Sequence, residues 1–189
     1  MLPIKAESHR KLGLYLAERY FSNTPKRYIR AFLLGCTEPD KNPTTYFKGS
    51  IRCQWLRGHN WESSQRYIQR ISERLERRNK FRLIDYYTLG KLVHYTTDAF
   101  TFSHNTDFPG NLKIHRHYEN KLQQYFLSYL ENPRCEHFPV QEPLMDSIRH
   151  WHRRYSSVST DICRDSRYCV SVTSMIISAL LVGEPLPSV

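Results

Sequence analysis

Glycine is scarce in this chain, with 7 among 189 residues and no self-similar period, which excludes a collagen-like or tandem-repeat architecture. The 5 cysteines, Cys36, Cys53, Cys135, Cys163 and Cys169, are odd in number and never form a C-x-x-C pair, so neither a disulfide framework nor a thiolate zinc knuckle is indicated. A reducing cytoplasm is the expected compartment. No long hydrophobic run is present either. The most apolar stretch, Tyr168 to Val182, spans about 15 residues and holds Ser171, Ser174 and Ser178, short of the roughly 20 needed to cross a bilayer, so a buried C-terminal helix is expected. The opening MLPIKAESHRKLGLYL has no uninterrupted apolar segment and no small-residue cleavage signal, and does not read as a secretory signal. Acidic residues are the minority charge. With 18 Asp and Glu against 28 Lys and Arg, the net charge of +10 suits phosphate-bearing or otherwise anionic partners.

What the chain does contain is 40% hydrophobic and 13% aromatic residues, enough for a buried core in a single domain spanning residues 1–189. Apolar residues recur at spacings of three and four, strand-like alternation is nearly absent, and Pro and Gly cluster between the periodic stretches. The expected fold is all-α, a bundle of about six or seven helices. The spacing predicts helices near 5–21, 26–35, 61–79, 83–102, 111–131, 141–157 and 159–182, with a long loop from Cys36 to Asn60. Glu62/Arg66 and Glu73/Arg77 pair on the outer face of the third helix, and Ile68, Ile71 and Leu75 face inward.

Two histidine and carboxylate pairs stand out. His94 and Asp98, then His115 and Glu119, are four residues apart in predicted helices, so each pair lies about 40° apart around its axis and can clasp one ion. The same spacing also makes a common helix-surface hydrogen bond. His115 and Glu119 continue into Leu122, Phe126 and Tyr129, however, and His9 shares a stripe with Leu12, Leu16 and Tyr20, so these groups point inward. A charged carboxylate facing an interior costs several kcal/mol unless it is paired or metal-bound, which calls for a cation there. His104, six residues after Asp98 and before the Pro109-Gly110 loop, can complete a cluster. The other histidines, His117, His137, His150 and His152, read as having no metal role, and Cys36 as a packed thiol. The arginine-rich stretch from Arg66 to Arg82 can meet anionic lipid or nucleic-acid phosphates, although its interleaved glutamates weaken it as a nucleic-acid patch.

The run HYTTDAFTFSH from His94 to His104 resembles the zinc-dependent phospholipase C family, and HRHYEN from His115 is similar to that family's H-x-x-x-E helix. The resemblance extends back through EPDKNPTTYFKGS with Asp40, LRGHNW with His59 and SHRKLG with His9, in the family's order. It implies an all-helical domain holding two or three zinc ions in a cleft. It also implies His59, His94, Asp98 and Asp40 around one zinc, His104, His115 and Glu119 around a second, and His9 sharing a third with bridging Asp98. Nitrogen and oxygen ligands of this kind suit zinc. By the same resemblance, Asp40 is the first candidate for the general base and Glu119 the second.

The chain departs from the family's pattern in two places. Secreted members take the third zinc on an amino-terminal tryptophan, where this chain begins Met1-Leu2-Pro3. The aromatic residues of the family's choline pocket fall here on Lys41 and Leu56, and Lys41 with Arg52 and Arg57 favours a negatively charged head group or a second phosphate, with Lys41 and Arg57 as candidate substrate contacts. The first expectation is therefore a zinc-dependent phosphodiesterase acting on a phospholipid or smaller phosphate ester, with peripheral contact to an anionic membrane and no protein partner. The alternatives are a zinc nuclease or nucleotidase of the same superfamily, and a non-catalytic module in which zinc holds the fold and the basic surface recruits an anionic partner.

Overall fold

Helix α4 (Leu83–Ala99) organises the molecule because it is apolar or small on nearly every side, and from Thr88 onward every residue of it is buried. A helix buried on every side, with even Lys91, His94 and Asp98 turned into the interior, has to lie in the middle of a bundle. The computed structural model describes residues 5–41, 61–105, 108, 112–159 and 161–181. Around α4 it arranges α1 (Lys5–Tyr20), α2 (Lys26–Lys41), α3 (Trp61–Glu76), α5 (Leu112–Tyr129), α6 (Leu144–Ser156) and α7 (Ile162–Leu180), with a 3-10 turn at Phe102–His104. Among the described residues there are seven α-helices and no strand, so the expected all-α class is correct.

The broadest packing is α2 against α4. It is possible because two glycines meet: a methyl group added to Gly90 would stand 2.9 Å from the Gly35 Cα, and one added to Gly35 would stand 3.0 Å from the Gly90 Cα. Both distances are well inside ordinary carbon contact of about 3.5–4.0 Å, so the backbones touch and no larger residue fits. This contact also carries α2 further than its sequence pattern predicts. The stretch from Cys36 was expected to be loop, yet α2 runs on to Lys41 with Pro39 inside its last turn. Proline removes one helical hydrogen bond, but tertiary anchoring overrides it. The Glu38 carboxylate sits 3.2 Å from the buried Lys91 ammonium and accepts the Tyr87 hydroxyl at 3.1 Å, which holds the final turn of α2 against α4.

The remaining elements follow the sequence closely. Ile68, Ile71 and Leu75 of α3 are buried, and Glu73 and Arg77 pair outside at 3.5 Å. Asp85, fully buried, accepts the Arg82 N–H at the start of α4 and stands 3.5 Å from both Arg74 and Arg78, tying the end of α3 to that start. The apolar C-terminal stretch is α7, buried from Tyr168 to Ile177 and packed on α4, α5 and α6. No described helix is long and apolar enough to cross a membrane.

Candidate metal centre

The bundle brings His9 from α1, Asp40 from the end of α2, and His94 and Asp98 from α4 into one buried cluster. Asp98 presents a different oxygen to each imidazole: Oδ1 lies 3.1 Å from His9 Nε2 and Oδ2 lies 3.4 Å from His94 Nε2. The Asp40 carboxylate faces the same two rings, at 4.0 Å from His9 Nε2 and 3.7 Å from His94 Nε2. The two rings stack with centroids 4.0 Å apart. His94 Nδ1 donates to the Cys36 carbonyl at 2.9 Å. A carbonyl only accepts, so the hydrogen sits on Nδ1, and the Nε2 lone pair of the neutral ring then faces two carboxylates. Three acceptors converging in a buried space require a proton or a metal ion among them. An N–H donated to a backbone carbonyl is also how metal-binding histidines are oriented.

A second cluster forms where the 3-10 turn meets α5. His104 Nε2 and His115 Nε2 approach the same Glu119 oxygen, at 3.2 and 3.3 Å. His104 is buried, while the side chains of His115 and Glu119 keep 26% and 13% of their exposure. The turn itself is held by Asn105, whose side-chain amide donates to the Ala99 and Thr101 carbonyls at 3.2 and 2.9 Å.

Both clusters open onto one cleft of about 480 Å3, measured out to open solvent, whose lining includes His9, Asp98, His104 and Glu119. Its apolar wall comes from Leu122 and Phe126 of α5, and Cys169 of α7 lines it as well. The donor sets fit zinc. Tetrahedral zinc with bonds of about 2.0–2.2 Å places neighbouring ligand atoms about 3.3–3.6 Å apart. The four imidazole–carboxylate separations of 3.1, 3.4, 3.2 and 3.3 Å fall at or just below that edge. Two groups, His9/His94/Asp98 and His104/His115/Glu119, each converge three ligand atoms within 4.8 Å.

Seven of the eight expected ligands, His9, Asp40, His94, Asp98, His104, His115 and Glu119, therefore fall into two clusters on one cleft. His59 and the candidate substrate residue Arg57 lie outside the described residues, and Lys41 is the last residue of α2. His117 and His137 are exposed. His152 is buried, stacked on Trp61 with ring centroids 4.0 Å apart, and its Nε2 lies 3.1 Å from both the Ala99 carbonyl and Asn105 Oδ1. Burial lowers its pKa to about 4, so it is a neutral structural imidazole. Cys36 is fully buried, and burial pushes its thiol well up, as expected of a packed thiol.

Sequence reasoning missed the Cys36 carbonyl and the buried carboxylate of Asp165. Neither belongs to a spacing pattern, because each meets the clusters only through long-range folding.

The zinc-dependent phospholipase C model matches residues 8–171, and the chain belongs to that family. The match covers every residue of both clusters. No curated protein and no solved structure matches the chain.

Proposed function

We propose that this chain is a zinc-dependent phosphodiesterase that cleaves a phospholipid or a smaller phosphate ester in the cleft between the two clusters. The observation that carries the reading is that His9 and Asp98 of one cluster and His104 and Glu119 of the other line a single cleft, so one phosphoryl group can be held from both sides. Family membership supports zinc-dependent hydrolysis of phosphate esters. The ligands in this reading are His9, Asp40, His59, His94, Asp98, His104, His115 and Glu119, for two or three ions, with the two oxygens of Asp98 serving different sites. Zinc bound there supplies a water of pKa near 7 and positive charge against the phosphoryl oxygens.

Asp40 is the first candidate to take the proton of the attacking water. It is buried, and its carboxylate stands beside both rings of the first cluster, farther from them than that of Asp98. Glu119 is the second candidate, because it opens onto the cleft. Lys41 and Arg57 are proposed to meet a negatively charged head group or second phosphate.

Elemental analysis of the chelator-free protein beside His94→Ala and His115→Ala tests the metal reading. Two or three zincs per chain, with fewer in each variant, support it, and background zinc in the wild type sinks it. Turnover is then measured on phosphatidylcholine, an anionic phospholipid, a small phosphodiester and single-stranded DNA. Hydrolysis of the DNA alone would replace the phospholipase reading by a nuclease. Zinc without turnover of any of them would leave the non-catalytic module.

A further inference from the structure

On the zinc reading, the second cluster needs groups beyond its ligands to hold it in shape. Asp165 of α7 is fully buried, and its carboxylate is where three other elements meet. Its Oδ2 accepts the Phe102 N–H at 2.9 Å and the Tyr118 hydroxyl at 2.8 Å, and its Oδ1 accepts the Tyr155 hydroxyl at 2.6 Å. Phe102 opens the 3-10 turn that ends in His104. Tyr118 stands between His115 and Glu119 in α5, and Tyr155 belongs to α6.

We propose that Asp165 is the positioning residue of the second metal cluster, fixing the 3-10 turn and α5 to one carboxylate oxygen and so setting His104 against His115 and Glu119. The two elements approach the cluster from different parts of the chain, and the α5 segment is solvated on its outer face at Lys113, Arg116 and His117. A shared oxygen that binds both elements determines their separation to within a hydrogen-bond length. The first N–H groups of a 3-10 turn also have no partner within the turn, and the Phe102 N–H finds one here.

The charge of Asp165 is not what this role uses. Burial pushes its carboxyl up to about 6, against the pull of its three donors, so ionisation is costly. An asparagine could place its oxygen toward Phe102 and Tyr118 and turn its amide toward the Tyr155 oxygen, keeping all three bonds.

The test is titration of zinc into the metal-free full-length chain against a chromogenic chelator, for the wild type, Tyr118→Phe, Tyr155→Phe, Asp165→Asn and Asp165→Ala, with His115→Ala marking the second-cluster ion. The two tyrosine variants each delete one buried hydroxyl on the same carboxylate, but only Tyr118 leads to the metal helix. Tyr118→Phe should weaken the ion marked by His115→Ala by about 10-fold or more while the other ion is unchanged, and Tyr155→Phe should leave both within about 2-fold. Asp165→Ala should lose that ion and Asp165→Asn should retain it. Should Asp165→Ala not fold, the tyrosine pair decides. Equal weakening by the two tyrosine variants, or none by either, overturns the proposal while leaving the zinc reading standing. A wild type that binds no zinc overturns both.

Discussion

Replacing Gly90 by alanine sets two effects of opposite sign against each other. In an open helix the change stabilises by about 0.5–1 kcal/mol, because alanine loses less backbone freedom on folding. In this bundle the added methyl would collide with the Phe32 carbonyl oxygen, and it would stand 2.8 Å from the Cys36 nitrogen and 2.9 Å from the Gly35 Cα. All three atoms are backbone and cannot rotate away. The Phe32 oxygen is the nearest of these atoms, and relieving it requires α2 and α4 to part by about 1 Å or more. The His94–Cys36 hydrogen bond, now 2.9 Å, would then open to about 3.9 Å or more, past useful range. Overpacking of about 1–3 kcal/mol and a lost buried bond of about 1 kcal/mol outweigh the helix gain, for a net loss of about 1–3 kcal/mol. Released from its carbonyl, His94 should bind zinc about 10- to 100-fold more weakly, with the second cluster unaffected. Gly13→Ala is the control. Its methyl meets Cys36 Sγ and Leu33 Cδ2 at 3.1 Å, side-chain atoms that can shift, so it should be close to neutral. Urea unfolding of the metal-free protein and zinc titration read both effects. A Gly90→Ala protein as stable as wild type, with first-cluster affinity unchanged, would refute the argument that backbone contact sets the site.

Three further outcomes are expected. His152 has its pKa lowered by burial from 6.5 to about 4, so the unfolded chain binds its proton first, and the stability it lends above pH 6.5 is lost as pH falls toward 4, by up to about 3 kcal/mol. Asp165 runs the other way: its pKa is raised from 3.8 to about 6, so its contribution is present below 3.8 and is lost as pH rises through 6, and the two trends oppose each other between about 4 and 6. Unfolding of metal-free His152→Gln should therefore be less acid-sensitive than wild type and that of Asp165→Asn more so, and parallel pH curves for all three would refute the assignment. Asp40→Asn should lower kcat by about 100-fold or more if Asp40 takes the proton, whereas a rate within a factor of two of wild type at full zinc content would move that role to Glu119. Asp85→Ala removes the acceptor of the Arg82 N–H and the partner of Arg74 and Arg78, and should lower stability by about 1–2 kcal/mol in urea unfolding; an unchanged midpoint would show that this carboxylate does not anchor α4.

The helices were legible because burial imposes a period on the chain. The stripe of Ile68, Ile71 and Leu75 and the apolar length of α4 and α7 need no partner to be recognised, and all of them fall where the pattern puts them. The end of α2 was not legible. Read locally, Pro39 stops a helix, and only the Gly35–Gly90 contact and the Glu38–Lys91 pair, each joining residues about 50 apart in sequence, give the chain reason to continue past it. That local misreading matters for the site, since it moves Asp40 from a loop to the last turn of a packed helix.

The clusters divide along the same line. A histidine and a carboxylate four residues apart on one helix are visible in the sequence, and so is the inward direction of His9 and of the His115 helix. What spacing and periodicity alone do not carry is the pairing between helices, which came only as an implication of the family resemblance: that Asp98 turns one oxygen to α1 and the other to its own helix, and that His104 meets Glu119. The groups that hold those pairings are a backbone carbonyl 58 residues from His94, and a carboxylate 63 residues from the turn it caps and 47 from the tyrosine it binds. A carbonyl has no residue type to recognise, and an aspartate in an apolar helix resembles any other buried polar residue until its donors are located. A metal centre of this kind is thus readable in its ligands, whose chemistry dictates residue type, and hidden in its supports, which are chosen by position alone. For the same reason, substitutions at Gly90 and Tyr118, neither of which has a metal-binding side chain, are sharper tests of the arrangement than further substitutions of the histidines.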